Sequence, residues 1–258
     1  MKKLSCDEYD AFPSPIDTQY FGIASAKVIL YKSCEDAQHQ QEILNFLQGF
    51  AFTTIINKAN DPRNNFWLGR KTNAFLTDMN IQLIKKASVT ERHDKDLLIP
   101  LDNLPENNQI VHIAEASFEF SRFLNDPYLP LKRAKFIYGD IVKNAFRKAG
   151  RFFILFKTSE AIAGFLLFSI NASTSSSVIE LIAIDQNFKR RGVGQSLLRS
   201  MEYYVVKQGI NIIQVGTQLD NFDALKFYTL NGFDLLERNS IYHYWPSKAE
   251  RMVVDQST

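Results

Sequence analysis

The first third of the chain alternates short apolar runs with one helical stripe. Residues 26–31 and 51–56 are mostly apolar, which predicts two strands. Residues 40–50 place apolar side chains at steps of three and four, the spacing of a helix that packs on one face. Residues 79–84 alternate apolar and polar side chains and predict a strand with one buried face. Residues 1–25 lack clear periodicity and contain two prolines, so we expect a loosely structured segment there.

The rest of the chain predicts a longer series of helices and strands. Residues 115–124, with Phe118 and Phe120, and residues 131–148 predict two helices separated by a proline-containing break. No repeat of fixed period is present, although the strand–helix–strand content of the first section loosely echoes the later half. The remaining predicted elements are a hairpin, a central strand, a helix, a strand, a second helix and two closing strands, over residues 152–170, 178–184, 193–205, 210–215, 220–231 and 235–245.

Composition and charge narrow the class of protein. With 258 residues the chain can hold one large or two small domains, and 45% hydrophobic residues predict a packed core. The net charge of +2 is too balanced to favour a nucleic acid or a membrane surface as a partner. The polar, proline-containing stretch 87–110 predicts a boundary. We expect an N-terminal αβ extension over residues 1–105 and a second domain over residues 106–258.

The cysteines and histidines argue against two further classes. Cys6 and Cys34 are too few for a disulfide framework, so a reducing cytoplasm is the expected setting. The histidines are scattered without metal-ligand spacing, and we expect no metal. No apolar run follows Lys2 and Lys3, so a signal peptide is not expected, and no apolar stretch approaches the ~18 residues of a membrane span.

A glycine-containing turn after the central strand is the most informative motif. Residues 189–194 read Lys-Arg-Arg-Gly-Val-Gly and open a predicted helix. The first N–H groups of a helix have no intrahelical partner, and the helix dipole favours negative charge there. Two glycines let the backbone approach a pyrophosphate closely. We therefore expect an anion site at the N–H groups from Arg190 to Gln195, with Lys189 adding charge; a solvated basic turn is the alternative.

A second motif follows after one helix and one strand and consists of Asn221, Ala224, Tyr228, Gly232 and Phe233. In this order and at this spacing, the two motifs resemble the GCN5-related N-acetyltransferase (GNAT) superfamily, whose turn reads Gln/Arg-x-x-Gly-x-Gly/Ala. Lys189 departs from the usual first residue of that turn and keeps its positive charge. The resemblance covers about residues 111–246. It implies an α/β fold with a mixed, twisted sheet flanked by helices, and an acyl-CoA co-substrate.

The resemblance also implies which residues hold acyl-CoA, in a cleft where the central strand and its neighbour splay apart. The backbone of residues 182–184 is expected to hold the pantetheine, and Asn221 either assists it or caps the following helix. Tyr228 is the expected general acid, because a phenol at this position can protonate the departing sulfur; the alternative is a core tyrosine. The residues assigned to acyl-CoA are Ile182, Ala183, Ile184, Lys189, Arg190, Arg191, Gly192, Val193, Gly194, Gln195, Asn221 and Tyr228.

Glu180 is the candidate general base. It shares strand parity with Ile182 and Ile184, so it is expected to face the cleft, although a cross-strand partner fits the pattern equally well. An amino-sugar amine loses its proton more easily than lysine, whose reference pKa is about 10.4, so a strong base is not essential.

Two local strings, at residues 121–127 and 215–221, resemble the sugar N-acyltransferases of the TDP-fucosamine acetyltransferase type. The candidate acceptor-binding residues are Ser121, Arg122, Asp126 and His243. Arg122 suits a phosphate, whereas a turn at Asp126 and a structural histidine at His243 are the alternatives.

That closer resemblance implies transfer of an acetyl or short hydroxyacyl group to the amine of a nucleotide-linked amino sugar, commonly TDP-linked. Such sugars enter bacterial surface polysaccharides, including O-antigens. Two other functions stay open, namely a peptide or protein N-acetyltransferase and an acyl-CoA-binding module without activity. A homodimer is compatible with the sequence, and neither the acyl group nor the C3 or C4 position of the amine is fixed by it.

Overall fold

The protein is described by a computed structural model over residues 2–88, 97–117 and 121–248. In this part of the chain, strands form one continuous sheet in the order β1-β2-β3-β4-β11-β5-β10-β9-β8-β7-β6. The strands are β1 (Leu4–Ser5), β2 (Tyr9–Pro13), β3 (Ser25–Leu30), β4 (Phe52–Asn57), β5 (Phe75–Lys86), β6 (Leu101–Asp102), β7 (Arg151–Lys157), β8 (Ile162–Asn171), β9 (Ser176–Ile184), β10 (Ile212–Gln218) and β11 (Asp234–Tyr244).

Helices cover both faces of the sheet, and this mixed α/β architecture confirms the expected fold class. The helices are α1 (Pro15–Phe21), α2 (Ala37–Leu47), α3 (Pro62–Lys71), α4 (Asn108–Ser117), α5 (Leu131–Ala145), α6 (Val193–Lys207) and α7 (Phe222–Leu230). No helix among the described residues has both the length and the apolar character needed to cross a membrane.

The first 25 residues are more ordered than their sequence predicts, so the expectation of a loose segment is wrong. They contain β1, β2 and α1, and β2 pairs antiparallel with β3. The prolines mark element ends: Pro13 is the last residue of β2, and Pro15 occupies the first turn of α1. Proline is tolerated at both places because the missing N–H is not needed there. The segment therefore forms two paired strands and one short helix.

Two other expectations need adjustment. Residues 234–244 form the single strand β11 rather than two closing strands, because register shifts interrupt its pairing with β5 without ending it. The helix predicted over residues 115–124 is observed only as α4, which starts earlier and ends at Ser117. Residues 118–120, including Phe118 and Phe120, lie outside the described residues. The stretch 87–110, predicted as a boundary, contains β6 and the start of α4.

The same series of elements occurs twice along the chain. The repeated order is strand, helix, strand, helix, strand. It is formed by β3-α2-β4-α3-β5 in the first series and by β9-α6-β10-α7-β11 in the second. In each, the first two strands pair in parallel. The last strands are exchanged, since β5 pairs with β10 and β11 pairs with β4. The division at residue 105 stays a prediction, while the strands of the N-terminal part (residues 2–88) and C-terminal part (residues 97–248) share one sheet.

An aromatic cluster joins the N-terminal and C-terminal parts on the face covered by α1 and α5. Phe52 lies 4.8 Å from the ring of Trp245, and Phe21 lies 5.1 Å from Phe123, measured between ring centroids. All four side chains are buried. Burying each side chain contributes roughly 1.5–3 kcal/mol, so this cluster holds the loop before α5 firmly against β4.

Candidate active site

A cleft opens in the sheet where β9 and β10 separate. The two strands pair from Ser176 to Ile179 on β9, and beyond Ile179 they diverge. On the other side of β9, the register with β8 shifts so that Glu180 is an extra residue, a β-bulge that bends the strand. Residues 182–184 are past the last pair with β10, so that edge of β9 is free to bond a ligand. The cleft has a volume of about 250 Å³.

The N-terminus of α6 lies next to Ile184, the last residue of β9, and has no side-chain cap. Arg190 and Gly192 have positive φ angles of 61° and 79°, which turn the chain sharply into the helix. The N–H groups of residues 193–195 have no intrahelical partner, and Lys189, Arg190 and Arg191 are exposed beside them. This arrangement suits a diphosphate.

Gly194 brings α6 close to its neighbours. A Cβ atom there would lie 3.1 Å from Ile184 Cδ1 and 3.3 Å from Phe227 Cε2, tighter than ordinary packing. Gly192 has open space instead, and its positive φ is what favours glycine. The two glycines of the motif thus have different roles. Gly192 allows the turn, and Gly194 lets α6 pack closely against β9 and α7.

The corresponding place in the N-terminal part is closed. Strands β3 and β4 stay paired along their whole length, from Ser25 to Leu30. The N-terminus of α2 is capped by the Asp36 carboxylate, which accepts a 2.7 Å hydrogen bond from the Gln38 N–H. A carboxylate at this position satisfies the free N–H groups and repels a second anion. Of the two equivalent helix ends, the one at α6 is therefore suited to bind a diphosphate.

Tyr228 lies on α7 and lines the cleft. It is 4% exposed, and its ring packs edge-on against Phe227 and Phe233, with both centroids 5.3 Å away. Burial raises the pKa of the Tyr228 phenol above its ordinary value, so the hydroxyl stays protonated at neutral pH. The residue is thus both a core tyrosine and a wall of the cleft. It has the protonation state that a proton donor needs.

Asn221 also lines the cleft and precedes α7. Its side-chain oxygen accepts a 3.1 Å hydrogen bond from the Ala224 N–H, which confirms the capping alternative. The predicted contact with pantetheine stays a prediction.

Glu180 is placed differently from the parity expectation. The bulge turns its carboxylate toward α5, where Oε2 pairs with Arg151, whereas Ile182 and Ile184 pack on the α6 side of the sheet. The expected alternation with those isoleucines is therefore wrong, because one extra residue in a strand reverses the side-chain alternation. Glu180 Oε1 is buried and has no hydrogen-bond partner among the described residues. Glu180 nonetheless lines the cleft.

A second cavity, of about 280 Å³, lies on the α5 side of the sheet. Glu180 and Arg122 line this cavity and the cleft, so the two spaces meet at these side chains. Four cationic side chains line it against two carboxylates. They are Lys27, Arg122, Lys148 and Arg151, with Asp17 and Glu180. The excess of positive charge favours an anionic ligand next to the cleft.

Of the four residues predicted to bind the acceptor, only Arg122 lines the cavity. The side chains of the other three make hydrogen bonds within the protein. Asp126 Oδ2 accepts hydrogen bonds from His243 Nδ1 at 2.6 Å and from Trp245 Nε1 at 3.0 Å. His243 has no exposed surface, and Ser121 caps its own turn by accepting from the Phe123 N–H. A role for His243, Asp126 or Ser121 in direct acceptor contact is not supported, because none lines either space.

The charges in this group are set by burial and by hydrogen bonds. Burial lowers the pKa of His243, so the imidazole is neutral at neutral pH. Burial alone would raise the pKa of Asp126, but the hydrogen bonds from His243, the Tyr128 N–H and Trp245 lower it instead. A carboxylate held this way fixes the loop that carries Arg122.

The sequence motifs did not point to the cavity residues from the N-terminal part. Asp17 and Tyr20 lie on α1, and Lys27 lies on β3. Asn80, on β5, lines the cleft and donates a 3.2 Å hydrogen bond to the Thr217 carbonyl. One signal was present: Lys27 is a single charge inside an otherwise apolar strand, and such a charge needs a partner or a ligand.

Comparison with known proteins agrees with this geometry. Residues 108–233 match the model of the acetyltransferase (GNAT) family. Over 143 residues the chain is 25% identical to the spore coat polysaccharide biosynthesis protein SpsD of Bacillus subtilis (strain 168). That stretch is 55% of this chain and 49% of SpsD, so the match spans about half the length of the curated relative.

Two solved structures share the fold over most of the chain. The GCN5-related N-acetyltransferase from Sphaerobacter thermophilus superposes with a TM-score of 0.61 at 10% identity, covering 92% of this chain and 76% of the other. A tandem GNAT protein from the clavulanic acid biosynthesis pathway, solved without AcCoA, gives a TM-score of 0.58 at 12% identity, covering 86% and 75%. At these identities the likeness is one of fold. Residues 108–233 therefore match the acetyltransferase (GNAT) family, and the chain shares its fold with these two structures.

Proposed function

We propose that the protein transfers an acetyl or short hydroxyacyl group from acyl-CoA to the amine of a nucleotide-linked amino sugar. The observation that carries the proposal is the cation-rich cavity that meets the cleft at Glu180 and Arg122. A nucleotide-linked sugar has a diphosphate a few bonds from its sugar ring, so it presents an anion and an amine together. The name of the SpsD relative, a polysaccharide biosynthesis protein, supports an acceptor of this class.

The residues present fit acyl-CoA. The uncapped N-terminus of α6 suits its pyrophosphate, and the free edge of β9 at residues 182–184 suits the amides of its pantetheine. Bound there, acyl-CoA supplies the activated acyl group as a thioester. The open cleft between β9 and β10 leads from this edge toward Tyr228 and Glu180.

Two side chains handle the protons of the transfer. As the acceptor nitrogen bonds to the carbonyl carbon, Glu180 accepts a proton from that nitrogen, directly or through water. As the carbon–sulfur bond breaks, Tyr228 donates its proton to the leaving thiolate. The buried Oε1 atom of Glu180 has no protein partner among the described residues, and the Tyr228 phenol is neutral; these are the states that an acceptor and a donor of protons need.

A peptide or protein N-acetyltransferase is disfavoured by the charge of the cavity. Lysine side chains and peptide N-termini are cationic, and recognising them calls for acidic groups near the cleft. The cavity instead has four cations and two carboxylates, one of which is already paired with Arg151. A binding module without activity would not require a neutral phenol and a carboxylate at the same cleft.

The test is release of CoA from acetyl-CoA in the presence of TDP- and UDP-linked sugars that carry a 3-amino or 4-amino group. Fast release with one of these sugars is the expected result and fixes the position of the amine. The same panel is repeated with hydroxybutyryl-CoA, because a longer acyl group changes only the end of the pocket. Release with lysine-containing peptides and with none of the sugars would refute the proposal.

A further inference from the structure

The cation-rich cavity is built by both parts of the chain. Lys27 comes from β3 of the N-terminal part, and Arg122 comes from the loop before α5 of the C-terminal part. Neither lies among residues 190–195 at the N-terminus of α6, which we call the acyl-CoA cradle. The cavity therefore places a charge from the N-terminal part, which holds none of the acyl-transfer residues, beside the acceptor side of the cleft.

Lys27 and Arg122 are close enough to repel each other. Burial lowers the pKa of the Lys27 ammonium, and the nearby Arg122 lowers it further, while Asp17 acts in the opposite direction. The Asp17 carboxylate lies 4.0 Å from Lys27 Nζ, a long distance for an ion pair, and it also accepts a 2.6 Å hydrogen bond from Ser14. Two like charges in a half-buried space destabilise the free protein, and a bound anion would relieve the repulsion.

The Arg122 guanidinium is held by an aromatic ring and keeps a donor without a partner. Its guanidinium carbon lies 4.2 Å from the centre of the Phe123 ring, which holds the guanidinium plane in place. Its Nε atom is buried and has no hydrogen-bond partner among the described residues. A buried N–H without a partner is costly, and phosphate oxygens match the fork of N–H groups that arginine presents.

We propose that Lys27 and Arg122 together hold the diphosphate of the acceptor, so that the N-terminal part selects nucleotide-linked sugars over free amino sugars. This inference rests on the proposed function. The other two cations of the cavity are less suited, since Arg151 is paired with Glu180 and Lys148 is exposed to solvent. Arg122 also borders the cleft, so a diphosphate bound to it has its sugar directed toward Glu180.

The experiment measures binding separately from turnover. The full-length protein is first saturated with CoA, which fills the α6 cradle, and is then titrated with thymidine diphosphate or inorganic pyrophosphate by calorimetry. Lys27→Met is expected to raise the Kd of thymidine diphosphate by roughly 10- to 100-fold, the effect of losing one charge-assisted bond. Lys27→Arg keeps the charge and is expected to restore binding. Lys32→Met is the matched control, because Lys32 is exposed and outside the cavity.

A second readout uses the amino sugar that the protein acylates. Lys27→Met is expected to raise the KM of that sugar by a similar factor while leaving the KM of acyl-CoA unchanged. Thermal melting checks that the variant is folded, and Arg122→Gln gives the same test if it is not. Absence of thymidine diphosphate binding to the CoA-saturated protein, or an unchanged Kd in folded Lys27→Met, would overturn the inference.

The two proposals fail in different ways. If thymidine diphosphate binds through Lys27 while no amino sugar releases CoA, the diphosphate site stands and the proposed function does not. If an amino sugar is acylated with the same KM by Lys27→Met, the function stands and this site does not.

Discussion

Replacing Tyr228 with phenylalanine separates the chemistry of this tyrosine from its packing. The ring is buried and contacts Phe227 and Phe233, and phenylalanine keeps both contacts. The variant loses only a hydroxyl, for which the structure shows no hydrogen-bond partner among the described residues. We therefore expect the free energy of unfolding to change by less than about 1 kcal/mol, and any change to be toward greater stability.

Turnover, in contrast, is expected to fall in Tyr228→Phe by roughly 10²-fold, the usual effect of losing a general acid. This factor corresponds to about 2.7 kcal/mol of activation free energy. The assay is CoA release with both substrates at saturation, together with the Kd of CoA measured at equilibrium. The Kd is expected to stay within about twofold, because the ring still closes the cleft.

Tyr204→Phe is the matched control. Tyr204 lies on α6, away from the cleft, and its ring packs against Phe152 of β7 and Phe168 of β8. Loss of the Tyr204 hydroxyl should therefore leave turnover unchanged. Unchanged turnover in Tyr228→Phe would remove Tyr228 from the mechanism. A parallel loss of turnover and of stability would instead show that the residue acts through packing.

Three further predictions concern the base, the cradle and pH. Glu180→Gln should lower turnover and remove the acidic limb of the pH–rate profile, and an unmoved profile would exclude Glu180 as the base. Gly194→Ala would bring a Cβ atom within 3.1 Å of Ile184 Cδ1 and should raise the Kd of CoA, whereas Gly69→Ala, at an exposed position of α3 with open space around it, should leave that Kd unchanged. Burial raises the pKa of Asp78 to about 6 from 3.8. As the pH rises from 3.8 to about 6, the buried Asp78 carboxyl group therefore lowers the free energy of unfolding, and below pH 3.8 it has no such effect. Asp78→Asn should raise the free energy of unfolding by up to about 3 kcal/mol near neutral pH and by little near about pH 3.5, measured by urea denaturation.

The two motifs on the α6 and α7 side of the cleft could be recognised from the sequence because their signals are local. A turn with two glycines and an uncapped helix depends on neighbouring residues, and residues 189–194 are sufficient to indicate it. Tyr228 likewise follows from its fixed spacing within one helix. The structure places Asn221 and Tyr228 of the second motif in the cleft, and Gly194 of the first motif beside Ile184 at the end of β9.

The acceptor side was harder to predict because it depends on contacts between distant parts of the chain. Lys27 and Arg122 lie in different parts of the sequence, and only the folded sheet brings them to one cavity. The side to which Glu180 points is set by a single bulge, and a strict alternation cannot foresee an extra residue. His243 is a polar residue, yet it has no exposed surface in the folded protein. The aromatic cluster that buries it is assembled from several elements, which the local sequence does not indicate.

The exchange of β5 and β11 has a consequence for any attempt to shorten this protein. Because β5 lies between β11 and β10, a fragment that begins after residue 105 leaves β10 with one bare edge and strips β11 of both its neighbours. Bare strand edges recruit other chains, so such a fragment should aggregate even though it contains the N-terminus of α6 and Tyr228. Co-expression of residues 1–105 as a separate chain should rescue it, since the missing strand can then be supplied in trans. The part that contains Tyr228 and the turn before α6 thus depends for its solubility on the strands of the N-terminal part.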